Sequence, residues 1–322
     1  MLRALTTAVL LLVSDGQSRA MAWGCDGHRA IAMIAERLAG EAADKARTVL
    51  ARSPVARDLP RFCEPIPADI IADVSTWADD YRSVEPATAS WHFIDVPRSI
   101  GAISTGYARY CPRGNCAIDA VVAQFNVLKT STDPRLKANA LRFIIHLVGD
   151  VHQPLHAITN GDRGGNCVPV TYFSQPPVED ENGNFTPNLH GVWDRESIRT
   201  LMRAQKLDDA RGLANFIAAG ATDSTVAAQA PTAAVITAWA AASHALARTV
   251  AYGRLPVDPP QEPVGPALFS CAQNNHVGER MARLHEKIGS RYQLAAAPVI
   301  VRQLRLAGER LAAVLKAAFE AP

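Results

Sequence analysis

The segment that decides the fold is His146-Leu-Val-Gly-Asp150-Val-His-Gln-Pro154-Leu-His156, near the middle of the chain. The apolar run before it has the spacing and length of a buried helix, which would place His146 and Asp150 on one helix face. Pro154 cannot continue that helix, so the chain should turn there and bring His156 back toward the same face. Buried imidazole and carboxylate groups are costly unless something charged satisfies them. The segment therefore predicts a metal site, and zinc suits these ligands; the alternative is a buried His–Asp hydrogen bond within a helical core.

The first residues have the pattern of a secretory signal. Arg3 supplies the positive charge, residues 4–13 form the apolar part, and Ala20-Met21-Ala22 is a small-residue cleavage site. The apolar part is too short to span a bilayer, and no later segment is long and apolar enough to do so. We predict cleavage after Ala22, so that residues 23–322 form a secreted or periplasmic protein without membrane insertion.

Charge and cysteine content narrow the class of protein. The 322 residues include 33 Lys and Arg against 31 Asp and Glu, a formal net charge of +2. This balance predicts neither nucleic-acid nor membrane binding from bulk charge, so any attraction for anions must be local. Six cysteines in an exported chain indicate disulfides. Cys111 and Cys116 are close enough to form a small ring, and four cysteines leave three possible pairings: Cys25, Cys63, Cys167 and Cys271.

Apolar residues recur at intervals of three and four, which predicts an all-α fold, a single helical domain with long loops. Strand signals are confined to 169–173, and the stretch 174–188, rich in Pro, Asn and Gly, is predicted to be an exposed loop. The predicted helices cover 28–39, 41–52, 67–83, 117–129, 134–150, 194–204, 207–219, 223–252, 275–288 and 296–319.

Four further segments combine tryptophan with histidine or aspartate. They are Trp23-Gly-Cys-Asp-Gly-His28, Trp77-Ala-Asp79-Asp-Tyr-Arg82, Trp91-His92-Phe93-Ile-Asp95 and Asn188-Leu-His190-Gly-Val-Trp-Asp194. The last of these repeats the four-residue His–Asp spacing. Together with the central segment they resemble, in order, the zinc-dependent, single-strand-specific nucleases of the S1/P1 type, which are related to the zinc phospholipases C.

The resemblance implies a trinuclear zinc cleft in a mainly helical protein. One zinc ion would lie on Asp79, His92, His146 and Asp150. A second would lie on His156, His190 and Asp194. The third would take the amino group and carbonyl oxygen of Trp23, with His28 and a shared Asp150. An α-amino group ligates metal once it is deprotonated, so signal removal before Trp23 would have a chemical role.

The same resemblance implies hydrolysis of single-stranded DNA and RNA to 5′-nucleotides, with release of phosphate from 3′-nucleotides as a related activity. Asp79 and Asp150 would act in catalysis, and Arg82 would reach a phosphate oxygen or, alternatively, form a salt bridge with a neighbouring aspartate. Phe93 would stack on a base, unless it is a core aromatic. Asp95 would accept hydrogen bonds from the base edge, and Asn166 would line the same pocket.

Two rival classes remain at this stage. A zinc phospholipase C shares the metal scheme but resembles a His-x-x-x-Glu pattern, where this chain has His190 and Asp194. A non-catalytic zinc-binding protein would close its coordination shell.

Glu196 stands where an aromatic contributes to a second nucleotide site in the family. No stable protein partner is implied, and a monomer is expected. His152 is expected to be structural, whereas three later histidines are expected at the surface: His244, His276 and His285.

Overall fold

The computed structural model describes residues 23–103, 106–219, 226–263, 270–273 and 276–319, so the predicted signal lies outside the described residues. The fold is all-α, as the sequence predicts. Its helices are α1 Gly24–Ala39, α2 Glu41–Ala51, α3 Ile70–Val74, α4 Trp77–Tyr81, α5 Ala117–Thr130, α6 Pro134–Val151, α7 Leu189–Gly191, α8 Ser197–Gln205, α9 Ala210–Ala219, α10 Ala233–Leu246, α11 Val277–Ala282 and α12 Ser290–Phe319. None of the helices within these ranges has the length and apolar character needed to cross a bilayer.

Short elements complete the described part of the chain. The 3₁₀ turns that matter for the site are Pro86–His92 and Pro154–Ala157, and a π-helical turn, Val192–Glu196, precedes α8. Strands β1 (Thr171–Tyr172) and β4 (Lys287–Ile288) pair in parallel, and β2 (Val178–Glu179) pairs antiparallel with β3 (Phe185–Thr186). The predicted strand at 169–173 is therefore confirmed by β1. The predicted loop at 174–188 contains a small hairpin, in which Phe185 is buried.

Helix α6 is central and is buried along most of its length. Asp133 caps its first turn by accepting hydrogen bonds from two backbone amides, and Pro134 occupies the first helical position. From Ala138 to Val151 every side chain except that of Asn139 is buried. A helix hydrophobic on all sides must be surrounded by others, and α2, α4, α5 and α12 all pack against it.

Helices α1 and α12 begin at Gly24 and Ser290, before their predicted starts at 28 and 296. Three other predicted helices are divided or shorter in the structure. The segment 67–83 forms two short helices, α3 and α4, separated by Ser75 and Thr76. In the described part of the second, residues 226–252, helical structure begins only at α10, because Pro231 and the N-cap Thr232 start the helix there. Its last six residues form a π-helical turn. In the third, the described residues 276–288 hold only the short α11 and then β4, whose partner β1 is distant in sequence.

The cysteines form three disulfides, Cys25–Cys63, Cys111–Cys116 and Cys167–Cys271, so the predicted small ring is confirmed. His152 is buried and structural: its Nδ1 bonds the Val148 carbonyl, and its Nε2 lies 2.6 Å from Arg310 Nη1. The prediction for His244 is wrong, because this residue of α10 has a buried side chain, whose Nε2 lies 3.3 Å from the Pro97 carbonyl oxygen. The two remaining C-terminal histidines are exposed, as expected.

Helix α1, which carries His28, packs along α12 at a very close approach. A Cβ added at Gly308 would lie 2.5 Å from Ile34 Cγ2 and 2.7 Å from Ile34 Cβ. We expect Gly308→Ala to lower the free energy of unfolding by about 1–3 kcal/mol, because overpacking outweighs the helix-propensity gain of about 0.5–1 kcal/mol.

Urea denaturation is the measurement, and Gly212→Ala is the matched control. Position 212 also lies in a helix, but an added Cβ would meet its nearest atom at 3.6 Å. The control should be as stable as the parent or slightly more so. Equal stability of the Gly308 variant and its parent would show that the two helices separate without cost.

Candidate metal centre

Helix α6 presents His146 and Asp150 one turn apart, and other elements bring further predicted ligands to them. His28 comes from α1, Asp79 from α4 and His92 from the end of the 3₁₀ turn Pro86–His92. The turn after α6 supplies His156, and His190 and Asp194 flank the start of the π-helical turn. Three groups made of histidine and aspartate alone have their potential ligand atoms within 4.8 Å of one another: His28, His146 and Asp150; Asp79, His92 and His146; His156, His190 and Asp194.

The Asp150 carboxylate is surrounded by three imidazoles. Its Oδ1 lies 3.3 Å from His28 Nε2, and its Oδ2 lies 2.9 Å from His92 Nδ1 and 3.2 Å from His146 Nε2. Asp79 lies slightly farther out, with its oxygens 3.7 Å from His146 Nε2 and 3.8 Å from His92 Nδ1. All five side chains are buried. The structure therefore brings together every residue predicted for the first zinc position.

Hydrogen bonds orient the side chains of the third group, which is formed by His156, His190 and Asp194. They turn the Nε2 atoms of both histidines and one aspartate oxygen toward one another. His156 Nδ1 lies 2.7 Å from the His92 carbonyl oxygen, and His190 Nδ1 lies 2.8 Å from the Gly164 carbonyl oxygen. Because a carbonyl only accepts, both Nδ1 atoms must carry protons, so each Nε2 holds a lone pair whenever its ring is neutral. These Nε2 atoms are 3.1 Å apart, and Asp194 Oδ2 is 3.2 Å from His190 Nε2. Three acceptors at this spacing repel one another unless a cation, either a metal ion or a proton, lies among them.

Buried atoms without hydrogen-bond partners mark the same places. Neither ring nitrogen of His28 has a partner in acceptable geometry, and the same holds for His92 Nε2, Asp150 Oδ1 and Asp194 Oδ2. Buried polar atoms are rarely left unpaired in proteins. Their concentration on histidines and aspartates, with second hydrogen bonds that orient the rings, fits a metal such as zinc. His146 shows this orientation clearly, because its Nδ1 lies 2.7 Å from the Ser75 carbonyl oxygen.

Protonation states favour metal binding for most of these groups. Burial lowers the pKa of His156 to about 4 and also lowers the pKa values of His28 and His92, so these imidazoles are neutral near pH 7. Burial alone would raise the pKa of Asp150, but the adjacent histidines hold it well below its usual range. His146 and His190 behave differently, because nearby carboxylates outweigh the lowering effect of burial. Asp150 and Asp79 raise the pKa of His146 to about 9, and Asp194 raises the pKa of His190. Without a metal ion, a proton on His146 offsets the negative charge of Asp150 and Asp79.

Trp23 reaches the centre from the start of α1. Its backbone nitrogen lies 3.3 Å from Asp194 Oδ1, and its indole donates to the Gly149 carbonyl. The backbone is left-handed at Trp23 and Gly24, and a Cβ on Gly24 would lie 2.9 Å from Arg195 Cγ. The resemblance assigned Trp23 to the zinc ion on Asp150, whereas the recorded contact of its nitrogen is with Asp194, a ligand predicted for the second zinc.

Arg82 lies beside the centre and contacts one of its carboxylates. Its Nη2 is 3.1 Å from Asp79 Oδ1, so the salt bridge left open by the sequence is present. Burial would raise the pKa of Asp79, but Arg82, His146 and His92 together lower it. The guanidinium is one-fifth exposed, which leaves part of it accessible to solvent.

An extended segment that follows His92 alternates between core and surface. Ile94 is buried and its amide bonds the His156 carbonyl, while Phe93 and Asp95 are half-buried on the opposite side. Burial and Asp162 raise the pKa of the Asp95 carboxyl to about 7, against the opposing effects of Arg163 and His190. Asn166 donates to the Arg163 carbonyl in the neighbouring loop. The three predicted base-binding residues thus lie on segments that also hold His92 and His190 in place.

Gln153 contacts a predicted metal ligand, and sequence reasoning missed it. Its Nε2 donates to Asp194 Oδ1 at 2.6 Å, and its Oε1 accepts from the Leu155 amide. This buried side chain therefore leaves Asp194 Oδ2 as the oxygen that faces His190. The available signal was its place between Asp150 and His156 in the central segment.

Comparison with known proteins identifies the class. Residues 23–320 match the model of the S1/P1 nuclease family, and the chain belongs to that family. It is 35% identical to Nuclease S1 of Aspergillus oryzae over 182 residues, 53% of either chain. It is 30% identical to Nuclease P1 of Penicillium citrinum over 65% of this chain and 70% of the relative, and 30% identical to Endonuclease 2 of Arabidopsis thaliana over 55% and 57%. The alignment with the Aspergillus protein thus spans about half the length of that relative.

The position of Gln153 predicts a specific defect. We expect Gln153→Leu to weaken zinc binding by the His156, His190 and Asp194 group about 10–100-fold, the usual effect of losing a residue that orients a metal ligand. Zinc content after dialysis against graded chelator is the measurement.

Gln303→Leu is the matched control, because Gln303 is also buried and donates to a backbone carbonyl, that of His152, without touching a predicted ligand. It should lose stability but not zinc affinity. If both variants retain zinc equally, Gln153 has no orienting role.

Proposed function

We propose that this chain is a zinc-dependent phosphodiesterase that hydrolyses single-stranded DNA and RNA to 5′-nucleotides and also acts as a 3′-nucleotidase. The observation that carries the proposal is the convergence of buried, unpaired histidine and aspartate atoms in a chain of the S1/P1 nuclease family. Three zinc ions would be held by the side chains of the three groups, with the Trp23 amino group and carbonyl as further ligands. Bound zinc would polarise the phosphodiester and make water a stronger nucleophile near neutral pH.

Residues around the metal centre would bind and orient the substrate. Arg82 would donate to a phosphate oxygen, for which its planar guanidinium is suited. Asp79 would accept a hydrogen bond from the attacking water and keep it in line with phosphorus. Asp150 would neutralise charge between two of the metal positions. Phe93 would stack on an unpaired base, while Asp95 and Asn166 would bind the base edge, so duplex DNA with covered base faces would be a poor substrate.

The zinc phospholipase C alternative is not favoured. Its pattern would place glutamate where Asp194 lies against His190 and Gln153, and the family match is to nucleases. We also propose that residues 23–322 act as one catalytic unit, exported after cleavage behind Ala22. Three disulfides support an oxidising destination, because such bonds persist outside the reducing cytosol.

A substrate panel tests the proposed activity. The zinc-loaded protein should hydrolyse single-stranded DNA and RNA far faster than duplex DNA, and should leave phosphatidylcholine intact. In Phe93→Ala we expect KM for single strands to rise about 5–100-fold, since stacking contributes about 1–3 kcal/mol per base, with zinc content unchanged. Phe173→Ala, which removes an exposed ring, is the control. Hydrolysis of phosphatidylcholine but not of single strands would establish a zinc phospholipase C instead. An unchanged KM in Phe93→Ala would show that Phe93 packs in the core and does not stack on a base.

The proposed role of Trp23 predicts that the exact N-terminus matters. A chain that starts at Ala22 has an amide in place of the Trp23 amine, and an amide is a poor metal ligand at neutral pH. We expect this chain to fold, to hold about one zinc ion fewer than a chain starting at Trp23, and to lose most activity. Metal analysis and single-strand hydrolysis on both chains are the measurements. Equal zinc and equal activity would remove Trp23 from the ligand set.

A further inference from the structure

A cavity of about 540 Å³ lies away from the predicted ligands, between the segment after α2, helix α4 and the first half of α6. Its volume is within the range of pockets that hold small organic ligands. Aromatic and aliphatic side chains form much of its wall, among them Leu59, Trp77 and Tyr81. Val84 and Leu136 also line it and are 57% and 49% exposed, so its mouth displays apolar surface to solvent.

Helix α4 separates this cavity from the metal centre. Trp77 and Tyr81, four residues apart on one face, line the cavity, whereas Asp79 between them faces His92 and His146. The two aromatic rings stack with their centroids 4.4 Å apart, and Phe143 packs edge-on against both. Packing against Phe143 therefore fixes the positions of the two rings that line the cavity.

The unusual member of the lining is Arg142, whose side chain is buried to 2% exposure. It donates to two neutral acceptors, Asn139 Oδ1 and the Ser53 carbonyl, and lies over the Trp77 ring at 5.4 Å. Its Nε has no hydrogen-bond partner, and among the described residues it forms no ion pair. Burial lowers its pKa only to about 10, so the guanidinium stays charged at neutral pH.

A buried charge without a counter-ion is expensive, and proteins normally pair such groups. The carboxylate that lines the same cavity, Asp58, is exposed and does not pair with Arg142. A second cation, Arg135, also lines the cavity and is exposed. The cavity thus combines positive charge, a rigid aromatic wall and an apolar rim.

We propose that this cavity is a second ligand site, which binds a small anion joined to a flat ring. The phosphate or carboxylate of the ligand would lie near Arg142 and supply the missing negative charge. The ring would lie along Trp77 and Tyr81, where it would cover the exposed Val84 and Leu136. Two sources share this chemistry, mononucleotides and aromatic carboxylates. This site is separate from the proposed catalytic function and does not require it.

Isothermal titration of the zinc-loaded protein tests the proposal, with adenosine 5′-monophosphate, naphthoate and inorganic phosphate as probes. At least one of the two ring-bearing anions should bind at this site, and the one that binds identifies the source. Inorganic phosphate should bind it at least tenfold more weakly. Phe93→Ala should leave this binding unchanged, which separates it from binding at the proposed catalytic site.

Two variants locate the binding. Arg142→Met removes the charge but keeps an apolar chain of similar length, and it should weaken binding at least tenfold without lowering the melting temperature. Leu136→Trp should obstruct the mouth and weaken binding similarly, while its single-strand hydrolysis stays at the parent level. Leu294→Trp is the matched control, because Leu294 is 78% exposed on α12 and does not line the cavity.

Three outcomes would overturn the proposal. One is the absence of binding by either ring-bearing anion at millimolar concentration. The second is binding that Leu136→Trp and Leu294→Trp leave equally intact. The third is binding that disappears in Phe93→Ala, which would assign it to the catalytic side. If Arg142→Met fails to fold, the Leu136 pair of variants still decides the question.

Discussion

The buried carboxylate of Asp150 contacts imidazoles from three separate parts of the chain: His28 from α1, His92 from the turn after α4, and His146 from its own helix. Each of these segments is therefore fixed with respect to α6. Asp79 adds a second carboxylate beside His146, and the positive charge of Arg82 partly offsets the negative charge of Asp79. The arrangement is electrostatically balanced only if a cation, whether a proton on His146 or a metal, lies among the carboxylates.

This constraint accounts for the interruption between α3 and α4. In one continuous helix over 67–83, the Ser75 carbonyl would accept from the Asp79 amide; instead that amide bonds Thr76, and Ser75 accepts from His146. The interruption between α3 and α4 frees a carbonyl to orient one imidazole and turns Asp79 toward it. A local loss of helical hydrogen bonding is thus compensated by a contact in the centre.

The second group depends on backbone carbonyls in the same way. The His92 carbonyl orients His156, and the Gly164 carbonyl orients His190, so the extended segment and the 162–167 loop act as supports for the ligands. A Cβ on Gly164 would lie 2.5 Å from the Leu155 carbonyl oxygen, and its φ is positive, which explains why glycine stands there. Gln153 completes the support by holding one oxygen of Asp194. The substrate-facing residues proposed above lie on these same supports.

Much of the secondary structure of this protein is determined by local sequence and can be predicted from it. Strong periodicity and an Asp-Pro start define α6, and the four-residue spacings in the central and fourth segments place histidine and aspartate on one face without knowledge of the fold. Helices α2 and α5 begin at their predicted first residues and end within a residue or two of their predicted last residues. The start of α10 was also readable from Pro231 and Thr232, although periodicity alone extended that helix too far.

Only the tertiary structure decided features that depend on distant partners. The break between α3 and α4, the pairing of β1 with β4 and the pairing of four cysteines each require segments far apart in sequence to meet. Packing between elements also decides three side-chain environments: the burial of His244, the hydrogen bond from Gln153 to Asp194 and the unpaired charge of Arg142. Such packing produces no periodic pattern in the sequence. Sequence periodicity reports which face of an element is buried, whereas the identity of the atoms met by that face is set by how the elements pack.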